Sequence, residues 1–179
     1  SFSMTTGSSN ASLGFQSLVL NTGGSLNTAV GAGSLTFNTT GTGNTAIGGA
    51  ANVTSGNFTN ATAIGSRATV AQSNALVLGS INGINGAIAT VNVGIGTNTP
   101  NAGAALDITS TNRGILIPRM SKAQKNAIVT PATGLMVYQN APDSVGFQYY
   151  DGAKWVWIVG NNTADTIAWN TSGNLGTDT

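Results

Sequence analysis

The segments Asn27-Thr-Ala-Val-Gly31 and Asn44-Thr-Ala-Ile-Gly48 decide the architecture, because they are near copies of each other that lie 17 residues apart. Related segments occur on both sides of them: Asn10-Ala-Ser-Leu-Gly14, Ala61-Thr-Ala-Ile-Gly65 and, in degenerate form, Ala75-Leu-Val-Leu-Gly79. The glycines that end these five segments are 17, 17, 17 and 14 residues apart, and Val93-Gly94 follows Gly79 after 15 more. This period is too short for a helical repeat and is typical of a parallel β-solenoid.

Each repeat contains two apolar segments separated by turn residues. A second short apolar segment follows each glycine, as in Ser17-Leu-Val-Leu20 and Ser34-Leu-Thr-Phe37. A turn such as Asn21-Thr-Gly-Gly24 comes next. We therefore predict two short strands per coil, stacked on the next coil at a spacing of about 4.8 Å.

The composition fits such stacking. Only 6% of residues are charged, and Arg67 is the only charged residue before Asp107. In an in-register stack a repeated charge faces its own copy and repels it, whereas Asn and Thr can form hydrogen-bonded ladders. The predicted ladders are an Asn column and a Thr column, made of Asn10, Asn27 and Asn44 and of Thr28, Thr45 and Thr62.

One aliphatic residue precedes each of the five glycines. These residues form the predicted trimer core: Leu13, Val30, Ile47, Ile64 and Leu78. The first four have a small residue just before them, such as Ala29 or Ala46, which would permit close approach between chains. A single coil with so much Ala buries too little apolar surface to offset a backbone ordering entropy of about 1–2 kcal/mol per residue. We therefore predict a homotrimer with this column at the threefold axis.

The missing residue types exclude familiar active sites. The chain has no His, Cys or Glu, so it cannot build a His-based triad, a thiol nucleophile or a structural zinc site. The five Asp residues show no pair spacing, and Asp143 and Asp151 lie at turn signals. The sequence predicts no enzyme, no catalytic residue, no metal and no cofactor. A net charge of +1 without a basic cluster predicts no nucleic-acid partner, and no apolar run is long enough for a membrane span.

The second half of the sequence changes character. We predict a β-roll repeat domain over 1–96, a connector over 97–120, a small knob over 121–159 and further stalk over 160–179. In the knob, Ser121 caps a short helix and three alternating segments form an antiparallel meander. The predicted fold class is all-β dominated, a trimeric parallel β-roll or β-helix solenoid followed by this small α+β knob.

Four aromatic residues of the knob are candidate ligand-binding residues, because aromatic rings stack on sugars and anchor protein contacts. They are Tyr149, Tyr150, Trp155 and Trp157. Trp155 and Trp157 share a face of their strand, so filling of the knob core is the competing interpretation.

The repeated Asn-Thr-Ala-[Val/Ile]-Gly pattern over about residues 10–96 resembles the head repeats of trimeric autotransporter adhesins and the β-roll stalks of phage or phage-like tail fibres. The string from Val93 to Met120 looks like a connector in long bacterial and phage fibre proteins. The resemblance implies a homotrimeric tail fibre or surface adhesin segment, which gives a stiff multivalent stalk for attachment. It also implies an extracellular, cell-surface or virion location and a glycan or protein receptor.

Two other functions fit the repeats. One is a self-assembling extracellular filament without a specific ligand, whose partners would be further copies of the chain. The other is an ice-binding solenoid, in which ranked Thr residues would match ordered water. Each rung offers a single Thr beside Ala, as in Thr28-Ala29, where an ice-binding face would be expected to carry paired Thr residues.

Overall fold

The chain divides into two compact units, one ending at Thr111 and the other beginning at Asn112. The computed structural model describes residues 6–158. The stalk predicted over 160–179 lies outside the described residues.

The first unit is a β-solenoid built from short strands. Its strands are β1 (Ala11–Leu13), β2 (Thr28–Val30), β3 (Thr45–Ile47), β4 (Asn52–Val53), β5 (Ala61–Ile64), β6 (Thr69–Val70), β7 (Ala75–Leu78), β8 (Val93–Ile95) and β9 (Leu106–Ile108). Five of them form one parallel sheet in the order β1-β2-β3-β5-β7. The predicted solenoid is confirmed.

The register of this sheet follows the sequence repeat. Thr28 pairs with Thr45, Ala29 with Ala46 and Val30 with Ile47, and the same register continues into β5. Identical positions of successive repeats therefore stack directly on one another. A one-residue slip would move every side chain to the opposite face of the sheet, so the alternation of buried Ala with outward residues specifies this register.

The repeat glycines allow the coils to approach closely. Gly48 has a φ of +133°, and a Cβ built on it would lie 2.6 Å from the carbonyl carbon of Gly65 on the next coil. Any side chain there would force neighbouring backbone segments apart. Gly31 has the same conformation against Gly48. This explains why glycine ends each copy of the repeat.

The second apolar segment of the first two coils is a turn, so the prediction of two strands per coil is wrong there. Leu18 and Leu35 have φ values of +52° and +46°, in the left-handed region that an extended strand cannot contain. Both side chains are fully buried in the coil. A second strand does form at β4 and β6, where Val53 and Val70 take buried positions.

The interior of the solenoid is narrow and partly polar. Its apolar part consists of small and medium residues, with Ala29, Ala46 and Ala63 beside Leu35 and Val53. Buried Asn and Ser residues occupy the rest of the interior. The small size of these side chains fits the close spacing of the coil walls.

The predicted Asn ladder is present. Oδ1 of Asn10 accepts hydrogen bonds from the backbone N–H and the side-chain amide of Asn27, at 2.9 and 3.1 Å. Oδ1 of Asn44 continues the pattern by accepting from the N–H of Ala61 at 2.8 Å. Asn21 and Asn38 form a second buried Asn contact, with the amide of Asn38 donating to Asn21 Oδ1 at 2.8 Å. The sequence pattern indicates only turns at these two residues.

The predicted Thr ladder does not form. Thr28, Thr45 and Thr62 stack in register and are half-buried, but no hydrogen bonds join their hydroxyls in the part of the chain that the structure describes. The reason is geometric. Strand alternation turns these side chains to the outer face of the sheet, whereas the Asn column lies where the chain enters each strand and its amides can reach the next coil.

The segment after Gly79 does not extend the five-stranded sheet. Strands β8 and β9 pair with each other in parallel, with Val93 opposite Leu106 and Ile95 opposite Ile108. The predicted connector thus contributes a strand. Between β7 and β8 the chain folds back on the coils, where Arg67 donates a hydrogen bond of 3.1 Å to the carbonyl of Asn85.

The second unit contains one helix and one four-stranded sheet. Its elements are β10 (Arg119–Met120), α1 (Lys122–Asn126), β11 (Met136–Gln139), β12 (Gly146–Tyr150) and β13 (Trp155–Trp157). The predicted antiparallel meander is β11-β12-β13. Strand β10, from the end of the predicted connector, adds a fourth strand parallel to β11.

The helix begins as the sequence predicts. The backbone N–H of Gln124 donates to the Ser121 hydroxyl at 3.2 Å, and the N–H of Ser121 donates to Gln124 Oε1 at 2.9 Å. This reciprocal capping box satisfies two of the free amides at the start of the helix.

Candidate functional site

The predicted trimer-core residues form one continuous column on the outer surface of the solenoid. We call Leu13, Val30, Ile47, Ile64 and Leu78 the aliphatic column. Each lies directly opposite the next in the parallel sheet. Every member is exposed in the single chain, from 70% for Leu13 to 36% for Val30. This is an unusual amount of aliphatic surface to leave in water.

Other exposed apolar residues of the solenoid do not form such a column. Phe15 is followed at the same position of the next coil by Ala32, and Leu26 is followed by Gly43. Only the aliphatic column, among the described coils, keeps a large aliphatic side chain at all five levels. The repeat therefore preserves a surface stripe as well as an interior.

The small residues beside the aliphatic column point into the interior of the coil. Ala29, Ala46 and Ala63 are fully buried inside the coil. The expectation that they permit approach between chains is wrong, because alternate residues of a strand face opposite sides of the sheet. The outward neighbours of the column are instead Thr28, Thr45 and their counterparts.

The sheet of the second unit has two chemically different faces. The register places Tyr138, Phe147 and Tyr149 on one face, together with Met136 and Val156. We call these five residues the open face. Met136, Phe147 and Tyr149 are each at least 36% exposed, and the rings of Tyr138 and Phe147 are in edge contact at 5.0 Å. A groove of about 130 Å³ runs from Tyr138 and Phe147 to Ile115 and Leu116.

The opposite face carries a buried cation. Lys125 of α1 is 6% exposed, and its Nζ donates hydrogen bonds to Oε1 of Gln139 at 2.9 Å and to Oε1 of Gln148 at 2.6 Å. The amide of Gln148 donates in turn to Gln139 Oε1 at 3.2 Å. Nζ also lies 5.5 Å from the ring centroid of Trp155. We call Lys125, Gln139 and Gln148 the polar cluster.

The polar cluster borders a cavity of about 250 Å³. Its remaining lining residues are Lys122, Asp143, Ser144, Trp155 and Trp157. Burial lowers the pKa of Lys125, the positive charge of Lys122 lowers it further, and the negative charge of Asp143 opposes the shift. The cavity wall thus combines two ammonium groups, one carboxylate and two indole rings.

The four predicted ligand-binding residues are divided between the two faces. Tyr150 lies opposite Trp155, and Trp157 lies opposite Gln148, so these three aromatic residues share the face of the polar cluster. Tyr149 belongs to the open face. The rings of Tyr150 and Trp155 are in edge contact at 5.5 Å, which orients Trp155 beside the cavity.

Sequence reasoning missed the polar cluster. Gln139 and Gln148 lie at alternate positions with Val137 and Tyr150, and a long amide at an inward strand position is the signal that could have indicated a buried polar group. The five-residue helix is too short to show which of its faces is buried. The sequence therefore indicates no more for Lys125 than a place in a capped helix.

No helix among residues 6–158 has the length and hydrophobicity that crossing a membrane requires.

Comparison with known proteins identifies one family. Residues 94–172 match the model of a family described as a phage tail like trimerisation region. This match includes β9 and the whole sheet of the second unit. It agrees with the resemblance of the repeats to trimeric phage tail fibre stalks, and the matched region and the solenoid both fit trimeric fibre proteins of that type. No curated protein and no solved structure shows significant similarity to the chain.

Proposed function

We propose that this chain is a structural segment of a homotrimeric tail fibre in a virion or phage-like tail, and that it contributes to attachment rather than catalysis. The aliphatic column carries this proposal. It is a five-level stripe of exposed aliphatic side chains on a coil whose interior is thin and partly polar. The matched trimerisation region supplies independent support for the number of chains.

Three chains around a threefold axis would bring three aliphatic columns together. Full burial of a Val, Leu or Ile side chain contributes about 1.5–3 kcal/mol, so five levels in each chain would supply a substantial driving force. The column contains no charge, and its short strands present it at regular intervals. Like-charge repulsion therefore does not oppose the association.

The open face is the second proposed contact between copies. It lies within the matched residues 94–172, and its apolar residues Met136, Phe147 and Tyr149 are exposed in the single chain. The opposite face is occupied by α1 through the polar cluster. The open face is therefore the face of this sheet that is available for another chain.

Attachment would follow from the threefold symmetry. A trimer presents three identical copies of every surface feature, so weak contacts with a cell-surface receptor can combine into high avidity when they engage together. The solenoid would serve as the spacer that carries these surfaces.

The test is the mass of column variants in solution. The double variant Ile47→Asn with Ile64→Asn alters two exposed column residues and leaves the coil interior intact. Ile88→Asn is the control, because Ile88 is 94% exposed in the same unit and lies outside the column. By multi-angle light scattering we expect a trimer for the unaltered chain and for Ile88→Asn, and dissociation at low chain concentration for the double variant, in which only the open-face contact remains.

A monomeric unaltered chain would overturn the proposal. In that case thermal hysteresis would test the ice-binding solenoid. Open-ended polymers in place of trimers would favour the mechanical filament.

A further inference from the structure

The buried ammonium group of Lys125 forms no hydrogen bond to a charged group within the described part of the chain, although the negative charge of Asp143 acts on it. Its Nζ donates to the two neutral amide oxygens of Gln139 and Gln148. An ammonium group has three N–H donors, and the third has no acceptor within the described part of the chain. Burial of a cation is costly unless it is compensated, which is why buried Lys residues are rare in the absence of a partner.

The cavity beside Lys125 has space for such a partner. Its volume of about 250 Å³ is somewhat below the roughly 300–1,000 Å³ of pockets that hold drug-sized ligands, so it suits a group of the size of one sugar ring. Lys122 and Lys125 face it with two positive charges against one negative charge from Asp143. The net positive charge of the cavity wall favours a ligand with a carboxylate.

The remaining wall suits the ring of that ligand. Trp157 is 38% exposed and lies at the cavity beside the more buried Trp155. Indole faces provide flat apolar surfaces against which the C–H face of a sugar can pack. The Ser144 and Asp143 side chains add acceptors for hydroxyl groups.

We propose that this cavity binds a uronic acid residue of a surface polysaccharide, with the carboxylate at Lys125 and the sugar ring against Trp157. The charge-assisted hydrogen bond from Lys125 would supply selectivity for the acid, and the ring contact would supply affinity for the sugar. This proposal deepens the attachment role proposed above and rests on it. The cavity is formed by a single chain, so its occupancy can be measured separately from trimer formation.

The experiment is a titration of the full chain with methyl β-glucuronide, followed by ligand-observed NMR, with methyl β-glucoside as the matched neutral sugar. We expect saturable binding of the glucuronide in the millimolar range and affinity for the glucoside at least about tenfold weaker, which corresponds to 1.4 kcal/mol. Trp157→Ala should weaken glucuronide binding by about tenfold or more. Val129→Ala is the matched control and should leave it unchanged, because Val129 is 84% exposed in the same unit and does not line the cavity.

Lys125→Met removes the charge that selects the acid, so it should abolish the preference for the glucuronide over the glucoside. Thermal unfolding checks that the knob still folds. If Lys125→Met does not fold, Lys122→Ala provides the second test, because Lys122 is the other cation of the cavity; we expect a weaker preference for the acid over the glucoside.

Equal affinity for the glucuronide and the glucoside would overturn the assignment of an acidic ligand. Absence of saturable binding by either sugar would overturn the site. A trimer in light scattering without sugar binding would refute only this inference, whereas binding by a monomeric chain would refute only the proposed fibre assembly.

Discussion

Oδ1 of Asn27 accepts a hydrogen bond of 2.9 Å from the backbone N–H of Asn44, the residue at the same position one coil further along. Both side chains are fully buried. The same carboxamide donates to the carbonyl of Gly41 at 2.8 Å. Each Asn therefore joins two coils and satisfies backbone groups that the narrow interior would otherwise leave without partners.

Replacement of Asn27 by Ala should destabilise the solenoid strongly. It removes the acceptor of the Asn44 N–H and the donor to Gly41, and each buried group left unsatisfied costs about 1–3 kcal/mol. We expect a loss of about 2–6 kcal/mol in the free energy of unfolding, measured by urea denaturation at fixed chain concentration. Thr28→Ala is the control and should cost much less. Equal losses for the two variants would contradict the ladder.

Two adjacent glycines should respond very differently to the same substitution. A Cβ at Gly48 would lie 2.6 Å from the carbonyl carbon of Gly65, at a φ of +133° that favours glycine, whereas a Cβ at Gly49 would meet nothing within 4 Å. We expect Gly48→Ala to lower the free energy of unfolding by about 1–3 kcal/mol and to lower the thermal midpoint. Gly49→Ala should be nearly neutral. A neutral Gly48→Ala would show that the coils can move apart freely.

Asp151 should make the knob sensitive to acid. The backbone N–H groups of Lys154 and Ala153 donate to its carboxylate, both at 2.8 Å, and they lower its pKa below the ordinary 3.8. The folded state therefore binds this proton less readily than the unfolded state. The resulting stability is present above pH 3.8 and is lost as the pH falls through the lowered pKa of the folded state.

The measurement is the difference in unfolding free energy between the unaltered chain and Asp151→Asn at a series of pH values. This difference should decrease in acid and stay constant from pH 5 to 7. A difference that is independent of pH in acid would contradict the assigned hydrogen bonds.

Lys125 should make the stability of the knob depend on pH in alkaline solution. Burial lowers the pKa of its ammonium group below 10.5, so between the folded and unfolded pKa values the unfolded state binds more protons. The contribution of this residue to stability therefore rises with pH in that interval. Relative to Lys125→Met, the unaltered chain should gain stability as the pH rises toward 10.5. A constant or falling difference in denaturant titrations would contradict burial of the charge.

The parts of the fold that could be predicted from the sequence are those that recur at equivalent positions of successive repeats. The positions of Gly31 and Gly48, the outward aliphatic column and the buried Asn27 column all follow from stacking in register. The sign of the backbone φ angle cannot be predicted in this way, because an apolar segment gives no indication that Leu18 or Leu35 has a positive φ.

The candidate site in the knob was only half predictable. The strand signals located Trp155 and Trp157, since alternating aromatic residues beside a tight turn indicate a hairpin. The polar cluster depends on where a five-residue helix packs against the sheet. Such a short helix has no periodicity to reveal that Lys125 faces inward, and composition alone favours an exposed Lys.

The mass of the unaltered chain at sedimentation equilibrium, measured over a range of concentrations, tests the central claim most directly. Association through the aliphatic column and the open face predicts a species of three times 17.8 kDa. A mass of one chain at every concentration would contradict it.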